Sequence, residues 1–137
     1  MLYTKTAFLV ARLAIGSSML AHGLVRLPQL DKFSNWMITE FEKSMLPQAL
    51  VRAFSYVLPF AELLAGILLM AGLFTRFGLL LGSAVMIVLI FGSGMIEDWS
   101  AIPSQLIHAA FFAALLAGIE YNYYAADNLL RKKESSL

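Results

Sequence analysis

Seven polar residues stand where the sequence is otherwise apolar: Arg12, His22, Arg26, Glu62, Gln105, His108 and Glu120. Glu62 is the only charged residue between Arg52 and Arg76, in the middle of an apolar run over 53–73. Such a run is long enough to cross a bilayer, and an ionised carboxylate at that depth is costly. Glu62 must therefore be protonated, paired or beside water. A carboxylate in a dry setting can relay protons to a bound molecule, and His22 or His108 can hydrogen-bond a carbonyl of that molecule, so Glu62 and His22 are the candidate catalytic residues. Arg12, Arg26, Gln105 and His108 are the candidate ligand contacts.

Depth brings most of these together. At ~1.5 Å per residue from the outer helix ends, His22 and His108 lie roughly 7 Å in and Glu62 roughly 14 Å, with Arg26 and Gln105 near the surface above them. A single outer-half cluster of His22, Arg26, Glu62, Gln105 and His108 is expected. Arg12, Met19, His22 and Arg26 share one broad helical side, and Gln105 and His108 are i,i+3 neighbours. Ala65 and Gly66 leave space beside Glu62 for a partner side chain, and Pro59 frees a backbone carbonyl near it. Arg12 lies much deeper, at roughly 22 Å, nearly level with Glu120 at ~25 Å. Arg12–Glu120 is therefore expected as a structural ion pair that sets helix register. Two alternatives stay open, Arg12 reaching up to Glu62 and Glu62 bonding to His22. Two histidines of equal depth also raise a bis-histidine haem, but nothing else marks a haem pocket. Neither haem nor a metal site is expected.

The elements that must position these groups are membrane helices. Of 137 residues 60% are hydrophobic and 14% charged, and the mean hydropathy is +0.76, far outside the soluble globular range. Windows at 6–27, 53–74, 77–96 and 103–124 each approach the ~20 residues that a spanning helix needs. Alternating strand patterns are absent, which disfavours a barrel. The predicted fold is an all-α, four-transmembrane-helix bundle forming one domain over 1–137. Between spans one and two, Phe33, Trp36, Met37, Phe41 and Met45 recur at helical spacing. They predict an amphipathic interfacial helix over 31–46, stopped by Pro47, capping the outer end of the bundle or covering a lateral opening. Arg12 interrupts the first apolar stretch and no cleavage pattern follows it, so this span is expected to be retained.

Lys5, Arg76 and the tail Arg131-Lys132-Lys133 fall on one side, and Glu97 and Asp98 in the link between spans three and four on the other. The positive-inside rule then puts both termini in the cytoplasm of a bacterial inner membrane, although Arg26, Lys32, Lys43 and Arg52 crowd the outer loop. Tyr121, Tyr123, Tyr124 and Trp99 fit the two interfacial belts. Gly78 and Gly82, and the series Ala110, Ala114 and Gly118, favour close packing within the chain or between chains. Besides the bilayer, a partner protein or a second copy is expected. A net charge of +1 gives no ground for a nucleic-acid partner. The chain has no cysteine, which removes intrinsic thiol–disulfide and iron–sulfur chemistry.

Two stretches resemble the DoxX family of small membrane proteins. One is Arg12-Leu13-Ala14-Ile15-Gly16 followed by Ala21-His22-Gly23-Leu24-Val25-Arg26-Leu27. The other is Pro59-Phe60-Ala61-Glu62-Leu63-Leu64-Ala65-Gly66, continuing to Ala71-Gly72-Leu73-Phe74-Thr75-Arg76. The family takes its name from a small membrane subunit of an archaeal thiosulfate:quinone oxidoreductase. The resemblance implies a quinone-linked redox role, with electrons supplied by a partner protein and quinone as the bound molecule. It makes Arg12, His22, Arg26 and Glu62 the positions to test. A non-catalytic accessory or assembly subunit of a larger membrane complex is the alternative.

Overall fold

The computed structural model of the chain describes residues 1–134, and the side chains of residues 1–130. The basic side chains Arg131, Lys132 and Lys133, on which the predicted orientation partly rests, lie outside that description. The described residues form helices joined by turns, with no strand. Helix α1 is Leu2–Arg26, α2 Leu30–Glu40, α3 Gln48–Ala71, α4 Thr75–Met95, α5 Ile102–Ala117 and α6 Ala126–Glu134. The run Leu2–Glu40, α3 and α4 are each long and apolar enough to cross a membrane. Helix α5 is apolar but has only 16 residues.

The helix boundaries follow from local chemistry. Pro47, with ψ 130°, sits just ahead of α3, where its missing N–H costs no helical hydrogen bond. Gly72 ends α3 at φ 65°, a conformation that glycine adopts without strain. Pro103 opens the first turn of α5. The amphipathic helix is shorter than its apolar pattern predicts. It ends at Glu40, and Phe41 to Leu46 run through turns. It joins α1 through a single 3-10 turn, Leu27–Gln29. Its inner face is fastened to α3: the buried Ser34 and Ser55 hydroxyls hydrogen-bond across 2.7 Å, and Tyr56 donates to Asp31 at 2.7 Å.

The crossing of α1 and α3 does most to position the site. A Cβ on Gly23 would lie 2.7 Å from Leu63, and one on Gly66 would run into the backbone of Leu20. Glycines on both helices thus let the two backbones touch, the packing mode that stabilises membrane helix pairs. Gly66 makes room for a neighbouring backbone here, not for a side chain reaching towards Glu62. The predicted small pair on α4 is consumed inside the bundle, with Gly78 against Leu68 and Leu69 and Gly82 against the Phe112 ring. Met19, Leu58, Ala65, Leu69, Leu79 and Phe112 form the centre of the core. Large apolar side chains such as Val10, Val57, Phe60, Ile67, Phe77 and Ile87 point outward. That inversion suits a lipid surround.

Candidate functional site

The α1–α3 contact dictates the central feature of the site. Arg26 is one turn beyond Gly23, and Glu62 precedes Leu63, the residue that Gly23 touches. The two charged side chains are therefore delivered to each other. Arg26 Nη1 donates to Glu62 Oε1 at 2.5 Å and to Oε2 at 2.6 Å. The Glu62 side chain is 2% exposed and that of Arg26 27%. The guanidinium also lies over the Phe33 ring of α2, 4.8 Å from its centroid. Glu62 is thus charge-compensated by Arg26, and Arg12 does not reach it.

The histidines stand beside this pair. Each spends Nδ1 on the carbonyl one turn back, His22 on Ser18 and His108 on Ser104, both at 2.8 Å. A carbonyl only accepts, so Nδ1 carries the proton in both rings. The neutral Nε2 atoms are then acceptors. That of His108 takes the Ser18 hydroxyl at 2.7 Å, which ties α5 to α1. The two rings meet edge to face, with centroids 6.3 Å apart. Among the described residues there is no group of three or more His, Cys, Asp or Glu that could hold a metal ion. On α5, Gln105 Nε2 donates to Ser93 Oγ of α4 at 2.8 Å, and its Oε1 is buried without a partner.

All five residues of the predicted outer cluster, His22, Arg26, Glu62, Gln105 and His108, line one cavity of about 490 Å³. That volume is within the ~300–1,000 Å³ of small-molecule sites. Phe33, Trp36 and Met37 of α2 close it on one side, and Leu50, Val88 and Phe91 are exposed apolar lining on another. The cavity lining is therefore both polar and apolar, and part of the apolar lining is exposed.

Arg12 does not join this site. Its guanidinium, 2% exposed, donates from Nη1 to Asn122 Oδ1 at 2.9 Å and from Nη2 to the Tyr124 carbonyl at 2.8 Å. The expected Arg12–Glu120 pair is replaced by these contacts. Helix α5 stops at Ala117, so Glu120 falls in the 3-10 turn Ile119–Tyr121 and faces outward. The same break turns Asn122 back into the protein, where its Nδ2 donates to Thr75 Oγ1 at 2.9 Å. Asp127 then receives the Phe74 and Thr75 N–H groups at 2.6 and 2.9 Å and caps α4 from outside that helix. A Cβ on Gly72 would overlap the Arg12 guanidinium. Arg12 is thus the centre of a clasp between the chain's last described elements and the α3–α4 turn. Sequence reasoning missed Asn122, Thr75 and Asp127. The one available signal was an amide inside the predicted span 103–124. It also missed Ser18, one turn before His22, and Ser93, one side chain from Gln105.

Compared with known families, residues 7–95 match the DoxX family model. The match takes in α1 to α4, with Arg12, His22, Arg26, Glu62 and the glycines of the α1–α3 crossing, and stops short of Gln105 and His108. Neither the curated proteins nor the solved structures contain a match to this chain.

Proposed function

The chain belongs to the DoxX family, and from that premise we propose that it is a four-span protein of the bacterial inner membrane that binds a quinone or a similar lipid in the cavity beside Arg26 and Glu62. In this reading both termini are cytoplasmic, residues 1–137 form one domain, and α2 lies along the outer interface as the roof of the cavity. Helix α5, at ~1.5 Å per residue, is about 24 Å long and completes its crossing with the 3-10 turn and the tyrosines that follow. The observation that carries the proposal is the buried Arg26–Glu62 pair in the wall of a largely apolar cavity of about 490 Å³. Intramembrane charges that pair beside a cavity are a signature of function in membrane proteins.

Reduction of a quinone takes up two electrons and two protons. No cysteine is available to carry electrons in this chain, so they come from a partner redox protein, which makes the chain the membrane subunit of a quinone-linked oxidoreductase. Protons fall to His22. Its Nε2 can accept a proton when the ring is neutral and donate one when it is protonated. Arg26 holds the Glu62 carboxylate in place, Gln105 contacts the ring, and His108 braces α5 through Ser18.

Purification in mild detergent followed by lipid extraction tests the reading. Quinone should co-purify with the protein, and Glu62→Gln should lower the amount retained severalfold. Protein that carries no quinone and shows no change in added-quinone binding on Glu62→Gln would sink it. One observation favours the accessory role as a second reading. Ala110, Ala113, Ala114 and Ala117 form an exposed small-residue face on the short edge helix α5, suited to a partner helix. Bulky substitutions there should release a co-purified protein while leaving quinone content unchanged.

A further inference from the structure

The cavity is open to water at one end and stops abruptly at the other. Counted inward from the α2 end of the bundle, its deepest lining residues are Met19 on α1, Glu62 on α3, Met86 on α4 and His108 on α5. Towards the α2 end the lining takes in Glu40, the last residue of α2, and Asp98, in the link between α4 and α5. Glu40 and the lining Ser104 are exposed and Asp98 is half-buried. Below the floor, Ile15, Ala65, Leu69, Leu79 and Phe112 form a buried apolar layer, and the Phe112 ring packs so closely on Gly82 that a Cβ there would overlap it. Ser17 and Ser83, at the same level but not buried, give their hydroxyls to Met70 Sδ and to the Leu79 carbonyl of α4 itself.

On α1 the next polar side chain inward from this layer is Arg12, roughly 10 Å beyond Met19 at ~1.5 Å per residue. Its Nη atoms are committed to Asn122 and Tyr124. Among the described residues, the buried polar side chains therefore fall into two groups. Ser34, Ser55, Glu62 and Ser93 lie on the α2 side of the apolar layer, and Arg12 and Thr75 on the other. A proton has no hydrogen-bonded side-chain path through such a layer, and an isolated charge within it is strongly disfavoured.

We propose that the cavity is a one-sided aqueous vestibule, whose polar groups exchange protons with the water on the α2 side of the membrane and not with the water on the other. The charged and titratable groups that line it with His22 are Arg26 on its own helix, Glu40 on α2, Glu62 on α3, Asp98 after α4 and His108 on α5. All of them stand on the α2 side of the apolar layer. This sidedness holds whatever molecule enters the cavity, and its consequence rests on the ligand-binding reading above. A quinone reduced there, with two electrons from the partner redox protein, takes both of its protons from the α2 side.

The chain has no cysteine, so single introduced thiols report their surroundings without background. His22→Cys and Ser104→Cys probe the vestibule and Ala65→Cys the apolar layer, while Ser100→Cys and Tyr3→Cys mark the exposed surface at the two ends. A membrane-impermeant trimethylammonium methanethiosulfonate is added to one side at a time of sealed vesicles of known orientation. Both vestibule positions should be labelled from the side that labels Ser100→Cys and from that side only. Ala65→Cys should resist the reagent from either side until dodecyl sulfate is added, which also shows that the fold is intact. The thiolate is the reacting form, so the His22→Cys rate should rise with pH in the α2-side bath and ignore the opposite bath. Labelling of the vestibule positions from the Tyr3 side, or from neither side, or a rate that follows the opposite bath, would overturn the proposal. Quinone binding by the unaltered chain is measured separately. One-sided labelling without bound quinone keeps the vestibule and removes the quinone reading, and labelling from both sides with bound quinone does the reverse.

Discussion

Glu62 is tolerated because Arg26 meets it. The pair shows how one costly charge in an apolar helix becomes two that neutralise each other beside a cavity. Taking away one partner leaves the other buried alone, the expensive outcome for any internal ion pair. Arg26→Met should therefore lower stability in detergent by about 3 kcal/mol, read as the loss in melting temperature. Replacing both, Arg26→Met with Glu62→Leu, should restore most of that stability and yet abolish retention of the lipid proposed to bind beside the pair. A double variant no more stable than Arg26→Met would mean that the two charges do not act as one energetic unit. The residue scale also holds the clearest limit of sequence reasoning. Depth along a helix follows from a constant rise, so His22, Arg26, Glu62, Gln105 and His108 could be grouped from the sequence. Which member bonds to which depends on fractions of a helical turn.

At the scale of elements, that fraction of a turn is set by glycine. Gly23 and Gly66 let α1 and α3 touch, and the touch point lies one residue from Glu62 and one turn from Arg26. A Cβ on Gly66 would meet the Leu20 backbone, which cannot move aside as a side-chain tip can. Gly66→Ala should cost about 2 kcal/mol through overpacking and weaken ligand retention by spreading Arg26 from Glu62. Gly94→Ala is the matched control, because nothing lies within 4 Å of the added atom. Equal melting temperatures for the two variants would argue against a backbone contact at Gly66. Helix α2 illustrates the opposite case. Its amphipathic pattern was legible, but its end at Glu40 was not, because the apolar Phe41 and Met45 continue the pattern through turns, with Phe41 lining the cavity.

Across the whole molecule the cavity and the Arg12 clasp are separate structures, with Arg12 outside the cavity lining. The clasp joins α1, the α3–α4 turn and the segment leading into α6, so the bundle is closed by contacts between distant parts of the chain. Phe74 holds φ 44° within it, a strained position for a non-glycine residue. Asp127 secures that turn through two backbone N–H groups. Asp127→Ala should cost about 1–2 kcal/mol, the range for a lost helix cap, and open the chain to proteolysis after Tyr124. Lipid retention at the cavity should be unchanged. Loss of the proposed lipid in step with clasp opening would show that the two structures are coupled. The sequence by itself determined that the chain is all-α and built for a bilayer, which residues are too costly to be idle, and which of them share a depth. Composition, apolar length and helix rise decide those matters without reference to fold. Only the tertiary structure decided the partners. Arg26 takes Glu62 because glycines set the crossing of α1 and α3, and Arg12 takes Asn122 and Tyr124 because α5 ends before Glu120. Both outcomes depend on the angle between helices and on where a helix stops, and neither is written in apolar periodicity.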